Sequence, residues 1–358
     1  MKLLPKKGTE SVGVARQWCG RLGKVDNCQV GVFLAYASRE GHTLVDTRFY
    51  LPEEWAESES RREKCYVPES VVFRKSWELA DEMIVARSSQ LPHSWILGDD
   101  EFGRVTQFRD RLTARGERYM LDVPSNTHVR ILGQQPHPGR PPTQEAREWA
   151  AGLSKKDWTL YTVRDGAKGP HQVEVAWTHV ATKRDPQKPK SPWTRRETLV
   201  VVRTLGQKPD TKYCLSNAGP EVPLEDKVQA ACTRWNIEDC LERAKGEVGL
   251  AQYEVRSWIG WHHHMTLGLL ALWFLVKEHR RLRERFSPLH GSTDSLHRSR
   301  VPPRPGSQRE GTGGTGESQA HAQRTGPAAS LGQRQNAAGS HTDSRRVVGV
   351  DHGNYQAQ

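Results

Sequence analysis

The first 130 residues show an order of apolar and polar positions that predicts strands and helices in alternation. Residues 29–36 form a continuous apolar run of strand length and residues 42–51 alternate, so a hairpin turning at residues 39–42 is expected. The pattern then predicts a short helix within 52–65, and helical spacing continues over 70–87. After these come an apolar run at 94–98, a helix at 105–115 closed by Gly116, and a strand at 118–123. This order indicates an α/β fold with a mixed sheet flanked by helices.

The middle of the chain changes character after residue 132. A linker rich in Gly and Pro at 133–143 precedes β-like runs at 158–163, 172–180 and 197–204. Helical spacing returns at 228–244 and again at 258–285. We therefore predict an α/β body in two parts, residues 1–132 and 224–290, interrupted by a linker and β-rich insertion at 133–223.

The last 68 residues, 291–358, have a different composition from the rest. They contain 11 glycines, eight arginines and five acidic residues, but no Lys, Trp, Phe, Ile, Met or Cys. A segment so poor in apolar residues cannot offset its ordering entropy by burial, so we predict a disordered, low-complexity tail. The net charge of the chain is +11, of which +8 belongs to the body.

Three features exclude other classes of protein. The longest apolar run, residues 265–276, is too short to span a bilayer, which takes roughly 20 residues, and is expected to be a buried core helix. The first ten residues, MKLLPKKGTE, do not resemble a signal peptide, so a cytoplasmic location is expected. The cysteines form no C-x-x-C pair and are expected to be reduced; they are Cys19, Cys28, Cys65, Cys214, Cys232 and Cys240.

Asp99 is the first candidate for chemistry, because it follows the apolar run at 94–98. Open α/β sheets place ligand sites at the carboxyl ends of their strands, and a carboxylate there suits a divalent cation. The alternative is a strand-terminal Asp that caps the following helix, a role that also fits Asp100. From the residues alone both interpretations stay open.

A second candidate is the helical set Arg234, Glu238 and Lys245. At about 100° per residue, Arg234 lies about 40° and Lys245 about 20° from Glu238, so the three side chains share one stripe. Two cations beside an acid could balance metal-bound or phosphate-bound charge. The alternative is an i,i+4 ion pair on a solvated surface, worth only tenths of a kcal/mol.

Other conspicuous residues have weaker functional interpretations. Consecutive histidines on a helix point about 100° apart, so the run His262-His263-His264 favours packing or phosphate contact over zinc. Trp177 and Trp193 could stack on bases, but packing is the more common role of tryptophan. The motifs of P-loop, dinucleotide-binding and serine-hydrolase proteins do not occur.

Three segments together resemble bacterial insertion-sequence transposases of the DDE superfamily. They are PKKGTESVGVARQWCGRLGKVDNCQVGVFLAY, WILGDDEFGR with FRDRLTARGERYMLDVPSNT, and RWNIEDCLERAKGEVGLAQYEVRSWIGWHHHMTLGLLALWFL. The resemblance implies an RNase H-like catalytic domain that is interrupted by a β-rich insertion. One subgroup carries the signature Tyr, two residues, Arg, three residues, Glu, six residues, Lys; Arg234, Glu238 and Lys245 match it, whereas Ala231 occupies the tyrosine position.

The resemblance implies metal-dependent cleavage and strand transfer at transposon ends. Asp99 and Glu238 would be the second and third members of the metal-binding triad, and Arg234 and Lys245 would contact donor-end phosphates. Lys6 and Lys7 are also expected to bind DNA. Two Mg²⁺ or Mn²⁺ ions about 3.5 to 4 Å apart would activate water or a DNA 3′-hydroxyl and stabilise the leaving oxygen. The expected partners are terminal inverted repeats and target DNA, bound as a homodimer in the nucleoid.

The chain departs from this family at both ends. In the family the first catalytic Asp precedes a stretch like the one that begins at Pro5, and counting back places it before Met1. Asp26 and Asp46 are the nearest alternatives, but neither has a suitable position in the predicted strands. The tail resembles an out-of-frame reading of DNA. We therefore expect a transposase that is defective in catalysis, with a non-enzymatic DNA-binding remnant as the alternative and an unrelated nucleic-acid-binding protein as the third.

Overall fold

The computed structural model describes residues 4–5, 8–19, 24–38, 40–132, 142–166, 169–188, 190–193, 195–286 and 346–351. The helices are α1 (Glu53–Ala56), α2 (Glu59–Lys64), α3 (Ser76–Arg87), α4 (Asp100–Gly103), α5 (Thr106–Ala114), α6 (Ala146–Ala151), α7 (Leu224–Thr233), α8 (Trp235–Gly246) and α9 (Trp258–Phe286). The strands are β1 (Leu4–Pro5), β2 (Ala15–Cys19), β3 (Lys24–Ala37), β4 (His42–Tyr50), β5 (Trp95–Gly98), β6 (Tyr119–Val123), β7 (His128–Ile131), β8 (Gln144–Glu145), β9 (Thr159–Gly166), β10 (Gly169–Thr182), β11 (Arg195–Thr204), β12 (Thr211–Ser216) and β13 (Val347–Asp351). All of these strands belong to one compact unit, residues 1–282 and 342–358.

The described strands pair into one mixed sheet. Their order is β1-β3-β13-β5-β6-β12-β11-β10-β7-β8, with β2 and β4 also pairing with β3, and β9 with β10. The pairs β13–β5 and β5–β6 are parallel, and the other pairs are antiparallel. The predicted α/β class and the hairpin of β3 and β4 are confirmed.

Helices cover both sides of the central strands. Val32 and Leu34 of β3 pack in one core cluster with residues of α3 and α5. Phe33 and Ala35 of the same strand pack in a second cluster with residues of α8 and α9. Because β3 is buried on both sides, its sequence is a continuous apolar run rather than an alternating one.

The β-rich insertion continues the central sheet. Strand β12 pairs with β6, and β11 and β10 follow outward. The three runs expected from the sequence form strands β9, β10 and β11. Strand β12 was not expected, because half of the residues in TKYCLS are polar and they do not alternate with the apolar ones. The domain boundaries at 132/133 and 223/224 stay a prediction.

The strand β13 corrects the prediction for the tail. Val347–Asp351 lies between β3 and β5, antiparallel to the first and parallel to the second, and all five residues are buried. The prediction that residues 291–358 have no fold is wrong for this segment, because an apolar run fills the sheet and its backbone groups pair on both sides. Residues 291–345 and 352–358 lie outside the described residues.

Gly349 of β13 allows helix α8 to approach the sheet closely. A Cβ atom at this position would lie 2.0 Å from Ile237 Cδ1 of α8. We expect Gly349→Ala to lower the free energy of unfolding by about 1–3 kcal/mol through overpacking, and to cost less in a chain that already carries Ile237→Ala, where the clashing Cδ1 is absent. Urea denaturation measures both effects.

Gly246, the last residue of α8, provides the control for this substitution. An added Cβ there meets no atom within 4 Å, so Gly246→Ala should be neutral or slightly stabilising. Equal stability of the Gly349→Ala chain and the parent chain would contradict the close packing of α8 on β13.

The long helix α9 is only partly the buried core helix that its apolar run predicts. Trp261, Met265 and Leu272 are buried, but Leu267 and Phe274 are 66% and 56% exposed. The prediction is therefore wrong for one side of the helix. In the part of the chain that the structure describes, none of the helices combines the length and the apolar character that a membrane span needs.

Candidate active site

Three neighbouring parallel strands each lead into an aspartate at the same edge of the sheet. Gly98 of β5 is paired with Val350 of β13 and with Leu121 of β6. The next residue along each strand is therefore Asp99, Asp351 or Asp122. Because the strands are parallel and in register, their carboxylates lie side by side at the carboxyl edge.

Arg234, at the junction of α7 and α8, lies among these carboxylates. Its Nε is 2.7 Å from Asp122 Oδ2, its Nη2 is 2.6 Å from Glu238 Oε1, and its Nη1 is 3.8 Å from Asp351 Oδ2. The Arg234–Glu238 ion pair has the i,i+4 spacing noted in the sequence, but only 13% of the Arg234 side chain is exposed. The alternative, an ion pair on a solvated surface, is therefore wrong, because this ion pair is largely buried.

The ionisable groups of the site shift one another's pKa values. Burial, followed by the charge of Asp351, raises the pKa of Asp99 to about 7. Burial also raises the pKa of Glu238, although Arg234 opposes the shift. Burial alone would lower the pKa of Arg234, but the carboxylates around it, Asp122 first, raise it above its ordinary value. Four carboxylates, those of Asp99, Asp122, Glu238 and Asp351, thus act electrostatically on one buried guanidinium.

Asp99 has the helix-capping role that the sequence left open, and its role as a cation ligand stays a prediction. It is the N-cap of α4, and its Oδ1 accepts a hydrogen bond of 3.1 Å from the backbone N–H of Glu101. Asp100, the other candidate for the cap, forms an ion pair of 2.8 Å with Arg104 instead. The cap hydrogen bond fixes the position of the Asp99 carboxylate beside those of the neighbouring strands.

The basic residues predicted to bind DNA lie in different surroundings. The Nζ atom of Lys245 is buried and has no hydrogen-bonding partner within the described part of the chain. Arg234 is buried among carboxylates, and Lys6 and Lys7 lie outside the described residues. The contacts of these four residues with DNA stay a prediction.

The donor chemistry of this site fits a hard divalent cation. The side chains that meet at the sheet edge offer carboxylate oxygens, which Mg²⁺ prefers. However, no group of three or more His, Cys, Asp or Glu side chains is arranged to hold a metal ion in the described ranges. Arg234 already supplies positive charge there, so the carboxylates form a cluster around the guanidinium of Arg234.

Sequence reasoning missed two residues of the cluster, Asp122 and Asp351. Asp351 follows the apolar run VVGV just as Asp99 follows WILG, and this repeated pattern could have identified it. Asp122 interrupts the otherwise apolar strand β6, and its Oδ1 accepts a hydrogen bond from the thiol of Cys214 at 3.2 Å. By contrast, Asp46 forms ion pairs with Arg48 and Arg87, which accounts for its burial.

A groove of about 230 Å³ lies next to α8, and apolar side chains, basic side chains and Asp210 line it. Its lining includes Arg164, His171, Lys212 and Trp235, and the Arg164 guanidinium lies over the Trp235 ring at 4.1 Å. The positive charge of Lys212 opposes the rise in the pKa of Glu238, so the groove adjoins the carboxylate cluster. Ala231, at the tyrosine position of the signature, also lines it.

The remaining side chains singled out from the sequence have packing contacts. His262 Nδ1 lies 2.9 Å from the Trp258 carbonyl oxygen, and His264 Nε2 lies 3.3 Å from that of Leu250. The guanidinium of Arg130 covers the ring of Trp193. Five cysteines are free thiols, as expected; they are Cys28, Cys65, Cys214, Cys232 and Cys240.

The fold and site together define an α/β protein with an acidic site at the carboxyl edge of a mixed sheet. The chain belongs to the DDE superfamily endonucleases, since the model of that family matches residues 3–186, about half of its length. The match includes Asp99 and Asp122 and ends before Arg234, Glu238 and Asp351. No curated protein matches the chain significantly. The resemblance to a transposase-like protein of this superfamily is confirmed.

Proposed function

We propose that this protein is an insertion-sequence transposase that cleaves transposon ends and joins them to target DNA with divalent cations as cofactors. One observation supports this most strongly. Asp99 at the end of β5 and Glu238 on α8 come from distant parts of the sequence, yet both act electrostatically on the buried Arg234. The residues that the resemblance implies for catalysis thus belong to one cluster.

In this proposal Asp99 and Glu238 hold the cations. When bound, two divalent cations activate a water or DNA 3′-hydroxyl and stabilise the leaving oxygen. The α4 cap hydrogen bond orients Asp99, and the ion pair of Arg234 with Asp122 positions the start of α8, which carries Glu238. Cation binding requires Arg234 to yield its place among the carboxylates.

DNA is the proposed substrate, bound through its phosphates. The groove formed by Arg164, His171 and Lys212 offers positive charge beside the carboxylates, and the exposed ring of Trp177 offers a stacking surface. The net charge of +11 adds attraction to DNA that does not depend on sequence. Binding should therefore weaken as the salt concentration rises.

A non-catalytic DNA-binding remnant is the second candidate. The observation in its favour is that Arg234 occupies the centre of the carboxylate cluster, where a cation would otherwise balance the charge. The sequence-based expectation of a defective enzyme agrees with this candidate. Both candidates predict salt-sensitive DNA binding, and only the transposase predicts strand cleavage.

A nicking assay tests the proposal. The purified chain is incubated with Mg²⁺ or Mn²⁺ and a supercoiled plasmid that carries the DNA flanking the coding sequence, and nicked circles are measured on a gel. We expect nicking that Asp99→Asn and Glu238→Gln each reduce more than about 100-fold, because even residues that only support metal ligands contribute 10- to 100-fold. Asn retains the ability to cap α4.

Asp100→Asn is the matched control. Asp100 is adjacent to Asp99 but lies on the surface, where it pairs with Arg104, so its loss should leave nicking unchanged. Salt-sensitive binding of the plasmid without any nicking would instead establish the remnant. Nicking that persists in the Asp99→Asn and Glu238→Gln chains would assign the activity to another site or to a contaminant.

A further inference from the structure

A second cavity, of about 550 Å³, lies where the β-rich insertion meets helices α4 and α5. We call it the junction pocket, and its lining includes Arg104 after α4, Arg109 in α5, His128 and Arg130 in β7, and Lys183 and Trp193 in the turn between β10 and β11. Pockets for small ligands generally measure about 300–1,000 Å³. The junction pocket is therefore large enough for a nucleotide.

The junction pocket and the groove beside α8 lie on opposite sides of the sheet. Strand β10 pairs with β11 without interruption from Val173 to Thr182, and side chains along a strand point to alternate sides. Val173 lines the groove, whereas Thr182, an odd number of residues further along, lines the junction pocket. Thr182 also donates a hydrogen bond to Glu197, the partner of Arg109 in α5. A ligand of the junction pocket therefore approaches the sheet from the side opposite α8.

The charged side chains that line the junction pocket are basic. Among the described residues of its lining, none is Asp or Glu. Two of the cations have carboxylate partners outside the lining: Arg104 pairs with Asp100 at 2.8 Å, and Arg109 pairs with Glu197 at 2.9 Å. The pocket therefore favours an anionic ligand over a neutral or cationic one.

Trp193 brings two cations together at this pocket. The guanidinium of Arg130 lies 4.1 Å and the ammonium of Lys183 lies 5.8 Å from the centre of its ring. Arg130 Nε also donates a hydrogen bond of 3.2 Å to the hydroxyl of Thr143, which restricts the orientation of the guanidinium. Arginine and lysine side chains form strong, charge-assisted hydrogen bonds with phosphate oxygens. The two cations beside Trp193 thus suit a phosphate group.

We propose that the junction pocket binds the phosphate of a nucleotide through Arg130 and Lys183. The bound nucleotide contacts both β7 and the turn between β10 and β11, so it stabilises the insertion where it meets α5. A free nucleotide and a nucleotide unit of single-stranded DNA share this chemistry, and the experiment separates them. The inference does not depend on the proposed function, because its test requires neither a cation nor strand cleavage.

Calorimetric titration of the full chain with ADP in EDTA tests the proposal. We expect Lys183→Gln and Arg130→Gln each to weaken ADP binding about 10-fold or more, because each removes a charge-assisted hydrogen bond to phosphate. Adenosine, which has no phosphate, should bind at least about 10-fold more weakly than ADP for the same reason. Thermal denaturation without ligand verifies that both variants fold, as expected for side chains that are only partly buried.

Arg164→Gln is the matched control. The Arg164 guanidinium also lies 4.1 Å from the centre of a tryptophan ring, that of Trp235, but in the groove beside α8. The ADP affinity of this variant should equal that of the parent chain. Loss of ADP binding in Arg164→Gln with full binding in Lys183→Gln would overturn the proposal, as would equal affinities for adenosine and ADP.

A single-stranded oligonucleotide distinguishes the two sources of phosphate. Competition between the oligonucleotide and ADP, with weaker oligonucleotide binding in Lys183→Gln, would support the site and identify nucleic acid as its ligand. ADP binding that the oligonucleotide leaves unchanged would support the site and identify a free nucleotide. Absence of binding by both probes would overturn this inference and leave the proposed function standing, because nicking depends on Asp99 and Glu238. Retained ADP binding without nicking would overturn the proposed function alone.

Discussion

Replacement of Arg234 by methionine is expected to lower the free energy of unfolding by about 3–5 kcal/mol when divalent cations are absent. Methionine approximates the length of the arginine side chain but removes its charge. Asp122, Glu238 and Asp351 would each lose an ion pair while staying at the buried edge of the sheet. The loss is large because the partners that remain are charges without compensation, and not because the ion pairs are strong in themselves.

Divalent cations should reverse much of this loss. A ligand present at about 100 times its dissociation constant stabilises a folded protein by about 2.7 kcal/mol. The Arg234→Met chain should therefore gain more stability from Mn²⁺ than the parent chain, in which Arg234 must first move. Thermal denaturation in EDTA and in Mn²⁺ measures both effects.

Arg115→Met serves as the control for the Arg234 substitution. Arg115 also pairs with a buried aspartate, but Asp81 keeps its second partner, Arg111. We expect a smaller loss of stability than in Arg234→Met, and no dependence on Mn²⁺. If Arg234→Met were as stable as the parent chain in EDTA, the carboxylate cluster would not depend on the guanidinium.

Local pattern was sufficient to predict much of the fold. The apolar run of β3 and the alternation of β4 predicted their hairpin, because burial on two sides and on one side give different periodicities. The helical spacing at 258–285 predicted α9 within one residue of its observed end. Asp99 and Glu238 could be predicted as candidate site residues for the same reason, since one follows a clear strand and the other lies in a recognisable helical pattern.

The strand β13 could not be predicted from the composition of the tail. The average composition of the 68 tail residues conceals the apolar run VVGV. This run is buried because it pairs with β3 and β5, which come from the other end of the sequence. Long-range pairing is a tertiary effect that no local propensity reveals. The burial of Arg234 was missed for a related reason, since its main partner Asp122 comes from β6. The site therefore depends on contacts that the sequence separates widely.

A second large effect is expected at Glu197, which lies where the β-rich insertion meets the body. Its side chain is fully buried, and its Oε1 lies 2.9 Å from Arg109 Nε of α5. The hydroxyls of Tyr119 in β6 and Thr182 in β10 donate hydrogen bonds to the same carboxylate. We expect Glu197→Gln to lower the free energy of unfolding by about 3–5 kcal/mol, because Arg109 then remains charged and buried without its counterion. Urea denaturation measures the change.

Glu174→Gln separates this effect from a general loss of charge on the insertion. Glu174 pairs with Arg203 at 2.7 Å between the neighbouring strands β10 and β11, but both side chains are partly exposed, so we expect a loss below about 1 kcal/mol. Adding Arg109→Met to the Glu197→Gln chain should recover part of its stability, since the uncompensated charge disappears. A double variant that is less stable than Glu197→Gln alone would show that Arg109 contributes mainly through packing and through its hydrogen bond to the Gly103 carbonyl. Recovery would instead identify the buried charge pair as the contact by which the insertion depends on the body.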